Sequence, residues 1–182
     1  MNDSPQLLSS VLVHTNTRYS LRRDEVVLPS GKHQDVVWVD HPGAVGIAAL
    51  DPDGRMVLVR QYRHSIRQDL VEIPAGRLEP GEDRLQAALR ELEEETGLRA
   101  AEWELLQDIH PAPGFASERL TIYLATRLVP AGADAAQPDE DEEFELVRLS
   151  PAEVMSATTD AKTLIAAALL LLRGNDGRPL PD

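Results

Sequence analysis

Three glutamates, Glu91, Glu94 and Glu95, have a spacing that can build a metal site. On a helix that turns by about 100° per residue, they fall within one arc of about 100°. Carboxylates this close repel one another, and a cation offsets that repulsion. Mg²⁺ suits the site because it prefers oxygen ligands and combines one or two protein carboxylates with substrate phosphate oxygens. The alternative is a solvated acidic helix face, the commoner fate of a glutamate run taken alone.

A helix over about residues 83–96 is predicted to carry these glutamates. Asp83 followed by Gln86 is typical of a capped helix start, and Gly97 supplies the usual stop. Glu93 falls outside the acidic arc and is expected to be solvated. The same helical wheel predicts an apolar stripe, buried against a core, at Leu85, Ala88, Leu89 and Leu92.

The residues around the glutamates extend them into a longer pattern. It runs as a glycine, five residues, a glutamate, seven residues, and then Arg-Glu-aliphatic-any-Glu-Glu-any-Gly-aliphatic. An accidental match is much rarer than about one in a million. The stretch resembles the Nudix box, the signature of the Nudix hydrolases. The fixed positions are filled here by Gly76, Glu82, Arg90, Glu91, Leu92, Glu94, Glu95, Gly97 and Leu98.

The resemblance implies a role for each matching residue. Arg90 would hold the glutamates by a bidentate pair. Glu94 would be either a metal ligand or the catalytic base. A competing explanation for Glu82 is that its negative charge is favourable near the N-terminus of the helix. The implied ligands of Mg²⁺, or of Mn²⁺ as an alternative ion, are Glu91, Glu95, Glu94, Glu82 and the main-chain carbonyl of Ala75.

Beyond the box, the chain resembles the ADP-ribose pyrophosphatase branch of the family. A proline, Pro113, lies 15 residues after Leu98 and is followed by Gly114, Phe115 and then Glu118. The resemblance implies that these four residues line the substrate site. An ordinary turn before the next strand also explains Pro-Gly in this position.

Further residues are assigned by the same resemblance. Arg63 would contact a phosphate or the ribose, and Glu72 would belong to the substrate pocket. Tyr19 would stack on adenine, although a strand-packing tyrosine is an equal alternative. A long loop is predicted over Val129 to Asp141, and the acidic stretch that ends it would supply a catalytic base from Glu140 or Glu142.

Composition excludes several other classes of protein. The 182 residues include no cysteine, which excludes thiol catalysis and is consistent with a cytoplasmic protein. The net charge of −13 argues against nucleic acid as the main partner. The longest apolar run, from Leu164 to Leu172, is far too short to cross a membrane and predicts a buried helix or a subunit contact.

Strand-like stretches before and after the box helix, among them Trp103–Ile109, predict an α/β protein. The residues Pro29-Ser30-Gly31-Lys32 predict a hairpin turn near the N-terminus. Two helices are predicted after the last strand, one opened by Ser150-Pro151 and one over about Ala161 to Arg173. The expected fold is the Nudix fold, an α/β/α sandwich with a mixed sheet plus N-terminal antiparallel strands. We expect those strands over 1–42, the Nudix domain over 43–175 and a tail over 176–182. The resemblance also implies a homodimer in which the N-terminal strands exchange between subunits.

The function that follows is Mg²⁺-dependent hydrolysis of the diphosphate of ADP-ribose to AMP and ribose 5-phosphate. The nearest alternative is another nucleoside diphosphate sugar, such as GDP-mannose. A catalytically silent Nudix module that senses ADP-ribose and a hydrolase for oxidised nucleoside triphosphates are more distant alternatives. In each case the partner is a small nucleotide.

Overall fold

The computed structural model describes residues 4–132 and 145–174, which fall into two compact units. The N-terminal unit consists of Met1–Gly43 together with His110–Arg119, and the core unit consists of Ala44–Ile109 and Leu120–Asp182. The predicted boundaries at 1–42, 43–175 and 176–182 stay predictions. No helix in the described ranges is long and apolar enough to cross a membrane.

The N-terminal unit contains a three-stranded antiparallel sheet. Its strands follow one another as β1 (Gln6–Thr15), β2 (Ser20–Val27) and β3 (His33–Asp40). The predicted turn between β2 and β3 forms around Gly31, whose φ of 82° favours glycine. N-terminal antiparallel strands are therefore confirmed.

The core unit contains a seven-stranded mixed sheet. Five strands lie in the order β10-β5-β4-β9-β8, and β4 runs parallel to β9 while the other pairs are antiparallel. The two short strands β6 and β7 pair with β5 and β4 respectively. The strands are β4 (Ala44–Leu50), β5 (Met56–Arg63), β6 (Gln68–Glu72), β7 (Ala75–Arg77), β8 (Leu98–Ile109), β9 (Leu120–Pro130) and β10 (Glu145–Leu149).

Side chains of β4 alternate between two hydrophobic clusters on opposite faces of this sheet. Val45, Ile47 and Ala49 pack in one cluster with α1 (Arg84–Thr96). Ala44 and Ala48 belong to the other cluster with α3 (Ala161–Arg173), which follows the short α2 (Pro151–Ala157). The sheet is thus covered by helices on both faces, and the predicted α/β/α sandwich is confirmed.

Two details of the predicted elements differ from the structure. The strand β7 was not expected, since Ala-Gly-Arg has little strand propensity. The strand β8 begins at Leu98, directly after the stop of α1, and not near Trp103 as predicted. The two C-terminal helices were expected, and α3 buries one face while leaving Leu172 largely exposed.

Candidate active site

The helix α1 that carries the glutamates begins and ends at its predicted caps. Asp83 accepts hydrogen bonds at Oδ1 from the backbone N–H groups of Leu85 (2.9 Å) and Gln86 (3.4 Å). Gly97 ends the helix in the left-handed region at φ 65°. Arg84 ties the first turn to the sheet by donating to the hydroxyl of Thr121 at 3.0 Å. The helix is therefore fixed at both ends.

The buried face of α1 is broader than the predicted apolar stripe. Ala87, Ala88 and Leu92 are fully buried, whereas Leu89 is 38% exposed. The prediction for Leu89 was wrong because the buried arc is centred between the alanines and the glutamates and not on the leucines. Both Glu91 and Glu95 lie within this arc, with only 9% of each residue exposed in either case. Two of the three glutamates thus face the protein and not the solvent.

Strand β7 lies against these two buried carboxylates. The N–H of Ala75 donates to Oε2 of Glu95 at 3.0 Å. The carboxylate of Glu91 lies against Gly76, where an added Cβ would sit 1.8 Å from Oε1. Glycine is required at this position because any side chain would displace the carboxylate. The box glycine is thus explained by close approach to Glu91.

Arg90 contacts three acidic residues of the box. Its guanidinium donates to Glu82 through Nε at 3.0 Å and Nη2 at 3.1 Å, and through Nη1 to Glu91 at 2.7 Å and Glu94 at 2.8 Å. A further bond from Nη2 reaches the carbonyl of Arg77. The hydrogen bond from Arg90 holds the pKa of Glu82 below its usual value, and the hydrogen bond to Glu82 raises the pKa of Arg90. Glu82 and Arg90 therefore form a charged pair at neutral pH.

The donor atoms in this region are of the type that a divalent cation such as Mg²⁺ prefers. All of them are carboxylate or carbonyl oxygens, and two carboxylates are held at the β7 backbone. Within residues 4–132 and 145–174, no group of three or more histidine or acidic side chains has metal-binding geometry. Glu82, Glu91 and Glu94 instead share the guanidinium of Arg90. The structure therefore brings the box carboxylates together around Arg90.

Glu93 does not lie free in solvent as the wheel predicted. Arg99, just after the helix, donates to it through Nε and Nη2, each at 2.7 Å. Only 14% of the Glu93 side chain is exposed. The expectation was wrong because β8 begins directly after Gly97 and brings Arg99 back to the helix.

A second charged cluster surrounds Glu72, whose side chain is 2% exposed. Arg63 donates to both of its oxygens, from Nε at 2.6 Å and from Nη2 at 2.8 Å. Lys162 of α3 also donates to Oε2 of Glu72, and to Asp160 at 3.0 Å. Burial raises the pKa of Glu72, but the hydrogen bond from Arg63 and the charge of Lys162 outweigh it and hold the pKa below its usual value. The sequence analysis did not identify Lys162.

A signal for Lys162 does exist in the sequence. It lies in the first turn of a helix, where a positive charge opposes the helix dipole, so a specific acidic partner is needed to favour it there. It is also one of only two lysines in the chain, the other being Lys32. What the sequence cannot indicate is that this partner lies 90 residues earlier.

The N-terminal unit holds the other predicted substrate residues. Tyr19 is 43% exposed just before β2, and Phe115 is 61% exposed in the loop that also contains Pro113, Gly114 and Glu118. Strand β3 supports that loop, because Val39 donates to the carbonyl of Phe115 at 2.8 Å. Ser117, not identified from sequence, accepts from the N–H of His41 at 2.9 Å. Glu140 and Glu142 lie outside the described residues.

A mixed sheet between helices, with a box helix that gathers glutamates around an arginine, defines a Nudix-type hydrolase. The NUDIX domain family model matches residues 40–168. The chain therefore belongs to the Nudix family.

Several known proteins are similar to this chain. A methanol dehydrogenase activator of Bacillus methanolicus is 41% identical over 158 residues, covering 84% of this chain and 85% of that protein. An ADP-ribose pyrophosphatase of Mycobacterium tuberculosis is 43% identical over 136 residues, covering 74% and 66%. An ADP-ribose pyrophosphatase of Bacillus subtilis is 37% identical over 155 residues, covering 82% and 83%. The crystal structure of an ADP compounds hydrolase superposes with a TM-score of 0.81 at 24% identity, covering 96% and 97%.

Proposed function

We propose that this protein hydrolyses the diphosphate of ADP-ribose to AMP and ribose 5-phosphate. The observation that carries the proposal is the pair of buried carboxylates, Glu91 and Glu95, held against the β7 backbone at Ala75 and Gly76. Two relatives named ADP-ribose pyrophosphatase, at 43% and 37% identity, support this choice of substrate. Nudix hydrolases generally need a divalent metal, and the oxygen-only donor set favours Mg²⁺, with Mn²⁺ as the alternative.

The proposed metal ligands are those that the box implies. Glu91 and Glu95 would be the main ones because they are already buried beside β7. When bound, the metal would neutralise the diphosphate charge and lower the pKa of the attacking water. Glu94 and Glu82 would contribute to this group, together with the carbonyl of Ala75.

Arg90 has a positioning role in this proposal. Its guanidinium contacts Glu82, Glu91 and Glu94 at the same time, and so it fixes three carboxylates relative to one another. Fixed charges stabilise a transition state better than mobile ones because they need no reorganisation during the reaction. An alanine at this position would release all three carboxylates.

The reaction itself requires a base. Water attacks one phosphorus of the diphosphate, the bond from that phosphorus to the bridging oxygen breaks, and the proton of the water passes to a carboxylate. Glu140 and Glu142 are the proposed bases, with Glu94 as the alternative. A loop base can close over bound substrate and exclude bulk water.

We propose one set of substrate contacts in the core unit and a separate set in the N-terminal unit. In the core unit, Arg63 uses two of its five N–H donors on Glu72, which leaves the other three directed elsewhere. The Arg63 side chain is 39% exposed, and its guanidinium suits a phosphate. In the N-terminal unit, the proposed contacts are Tyr19, Pro113, Gly114, Phe115 and Glu118.

A panel of nucleotide sugars tests the proposed substrate. ADP-ribose, GDP-mannose, other nucleoside diphosphate sugars and a nucleoside triphosphate would be compared by kcat/KM with Mg²⁺ and with Mn²⁺. We expect ADP-ribose to be preferred and AMP and ribose 5-phosphate to appear in equal amounts. A preference for GDP-mannose would replace the substrate but keep the reaction. Release of inorganic pyrophosphate from the triphosphate as the main activity would overturn the proposal.

A homodimer formed through the N-terminal strands is also proposed, and a cytoplasmic location is consistent with the lack of cysteine. Strand β1 supports the dimer because Leu7, Val11, Leu12 and Val13 are each more than half exposed. Sedimentation at micromolar concentration should give a dimer, and Leu12→Asp should give a monomer. Leu105→Asp, at an equally exposed leucine of β8, should stay dimeric. A monomeric wild-type protein would exclude the dimer.

A further inference from the structure

The first turn of α3 is joined to strand β6 by charged and polar contacts. The ammonium of Lys162 lies between the carboxylates of Glu72 and Asp160. Asp160 in turn accepts at Oδ2 from the N–H of Thr163 at 3.0 Å and from its hydroxyl at 2.6 Å. The hydroxyl oxygen of Thr163 accepts from the N–H of Ile73 at 2.8 Å. Glu72, the last residue of β6, and the adjacent Ile73 are thus both fixed by the first turn of α3.

The second partner of Glu72 is the arginine that we place at the substrate. Arg63 is held in a bidentate arrangement, which fixes the plane of its guanidinium as well as its position. The hydrogen bond to Glu72 raises the pKa of Arg63, whereas burial lowers it. The charges of Glu72, Glu95 and Asp160 raise it further. Arg63 therefore lies within electrostatic reach of a proposed metal ligand. The orientation of the Glu72 carboxylate decides where the remaining N–H donors of Arg63 point.

Glu72 needs both cations to remain in place. A carboxylate that is 2% exposed is costly to bury unless it is paired and hydrogen-bonded. Arg63 lies on the same hairpin and moves with it, whereas Lys162 comes from a helix 90 residues away. The lysine therefore ties the Arg63–Glu72 pair to α3, a separate element of the core unit.

We propose that Lys162 is a positioning residue for substrate binding, because its ammonium fixes the carboxylate of Glu72 and Glu72 in turn orients the guanidinium of Arg63 toward the substrate diphosphate. The last step rests on the proposed function. Lys162 itself makes no contact with substrate in this arrangement. Its loss is therefore expected to weaken binding more than turnover.

Steady-state kinetics of three variants test the role of Lys162 in binding. Lys162→Met should raise KM for ADP-ribose by about tenfold and change kcat by less than about threefold, as expected when a charged hydrogen bond that supports binding is removed. Lys162→Arg keeps the charge and should restore KM. Lys32→Met, at the exposed second lysine in the turn before β3, is the matched control and should match wild type.

The Glu72→Gln variant separates an indirect role from direct contact with substrate. If Lys162 acts through Glu72, adding Lys162→Met to Glu72→Gln should cause no further rise in KM. Removing both charges also avoids leaving one of them buried without a partner, so the double variant is expected to fold even where a single variant does not. A further tenfold rise in the double variant would mean that Lys162 contacts substrate itself, and would overturn the proposal.

A measurement without substrate completes the test. The ¹⁵Nε–H signal of Arg63, assigned through Arg63→Lys, should shift in Lys162→Met and remain unchanged in Lys32→Met. An unchanged Arg63 signal together with an unchanged KM would overturn the role of Lys162. A folded wild-type protein that cleaves no nucleotide sugar would overturn the proposed function instead, and the Arg63 signal alone would then decide whether Lys162 orients Arg63.

Discussion

The N–H of Ala75 donates to Oε2 of Glu95 at 3.0 Å, and this bond ties the short strand β7 to the box helix. It joins a backbone group to a side chain 20 residues later. Because the carbonyl of the same residue is a proposed metal ligand, the bond fixes two oxygen donors at once. The box thus depends on its first strand as much as on its helix.

Glu95→Gln is expected to lower kcat by at least about 10²-fold, because a neutral amide is a poor ligand for Mg²⁺. The protein should still fold, since an amide oxygen can accept from Ala75. Glu93→Gln is the matched control on the same helix, because Glu93 pairs with Arg99 and is not a proposed metal ligand. Binding of Mn²⁺, measured by electron paramagnetic resonance, should weaken in the first variant alone. A near-normal kcat in Glu95→Gln would contradict the metal assignment.

Gly76→Ala is expected to abolish most activity while leaving the fold intact. The added Cβ would fall 1.8 Å from Oε1 of Glu91, so the carboxylate must move away from β7. Gly54→Ala is the control, because its Cβ would meet nothing within 4 Å while its φ of 76° makes alanine strained. The control should lose about 1 kcal/mol of stability and keep its kcat. Equal kcat in both variants, measured beside thermal unfolding, would argue against this role of Gly76.

The charged cluster around Glu72 should make stability depend on pH. The pKa of Glu72 in the folded protein is below its usual value. The contribution of Glu72 to the free energy of unfolding is therefore present at neutral pH, and it is lost as the pH falls below about 4.5 and through the folded pKa. Glu72→Gln should therefore lower the free energy of unfolding by about 3 kcal/mol at pH 7, because it breaks a buried pair. That difference should shrink as the pH falls below about 4.5 and through the lowered pKa of Glu72. Urea titrations at several pH values measure it, and a constant difference would exclude the linkage.

The catalytic base can be assigned by comparing variants of Glu140 and Glu142. Glu140→Gln or Glu142→Gln should lower kcat far more than it raises KM, because a base acts only in the transition state. The pH profile of kcat should lose its acidic limb in the variant that removes the base. Small and equal effects in both variants would assign the base to Glu94.

Local signals in the sequence predicted much of the fold. The box helix follows from Asp83, Gly97 and a helical period, and each of these features acts within a few residues. The alternation of β4 likewise follows from a two-residue period. The parallel pairing of β4 with β9 could not be derived in this way because it joins residues that are about 75 positions apart, and the family resemblance predicted only a mixed sheet.

The residues that the prediction missed depend on tertiary contacts. Lys162 gains its role from a carboxylate on another element, and Glu93 is covered by an arginine that the next strand returns to it. Ser117 is similar, because its hydroxyl contacts Val39 of β3 and His41 just after that strand. None of these partners is marked by a local pattern. The composition of β7 was equally uninformative, since its pairing with β4 comes from the position of Pro74, whose carbonyl accepts from Ile47.

The short connection formed by Ile73 and Pro74 tolerates changes in chain length less well than the turn between β5 and β6. Only two residues separate the end of β6 from the start of β7. An insertion there would move the Ala75 backbone away from Glu95 while Thr163 still held Ile73. The turn between β5 and β6 carries no such double attachment. Extra residues inserted between His64 and Arg67 should leave hydrolysis intact, whereas a single residue inserted after Ile73 should destroy it.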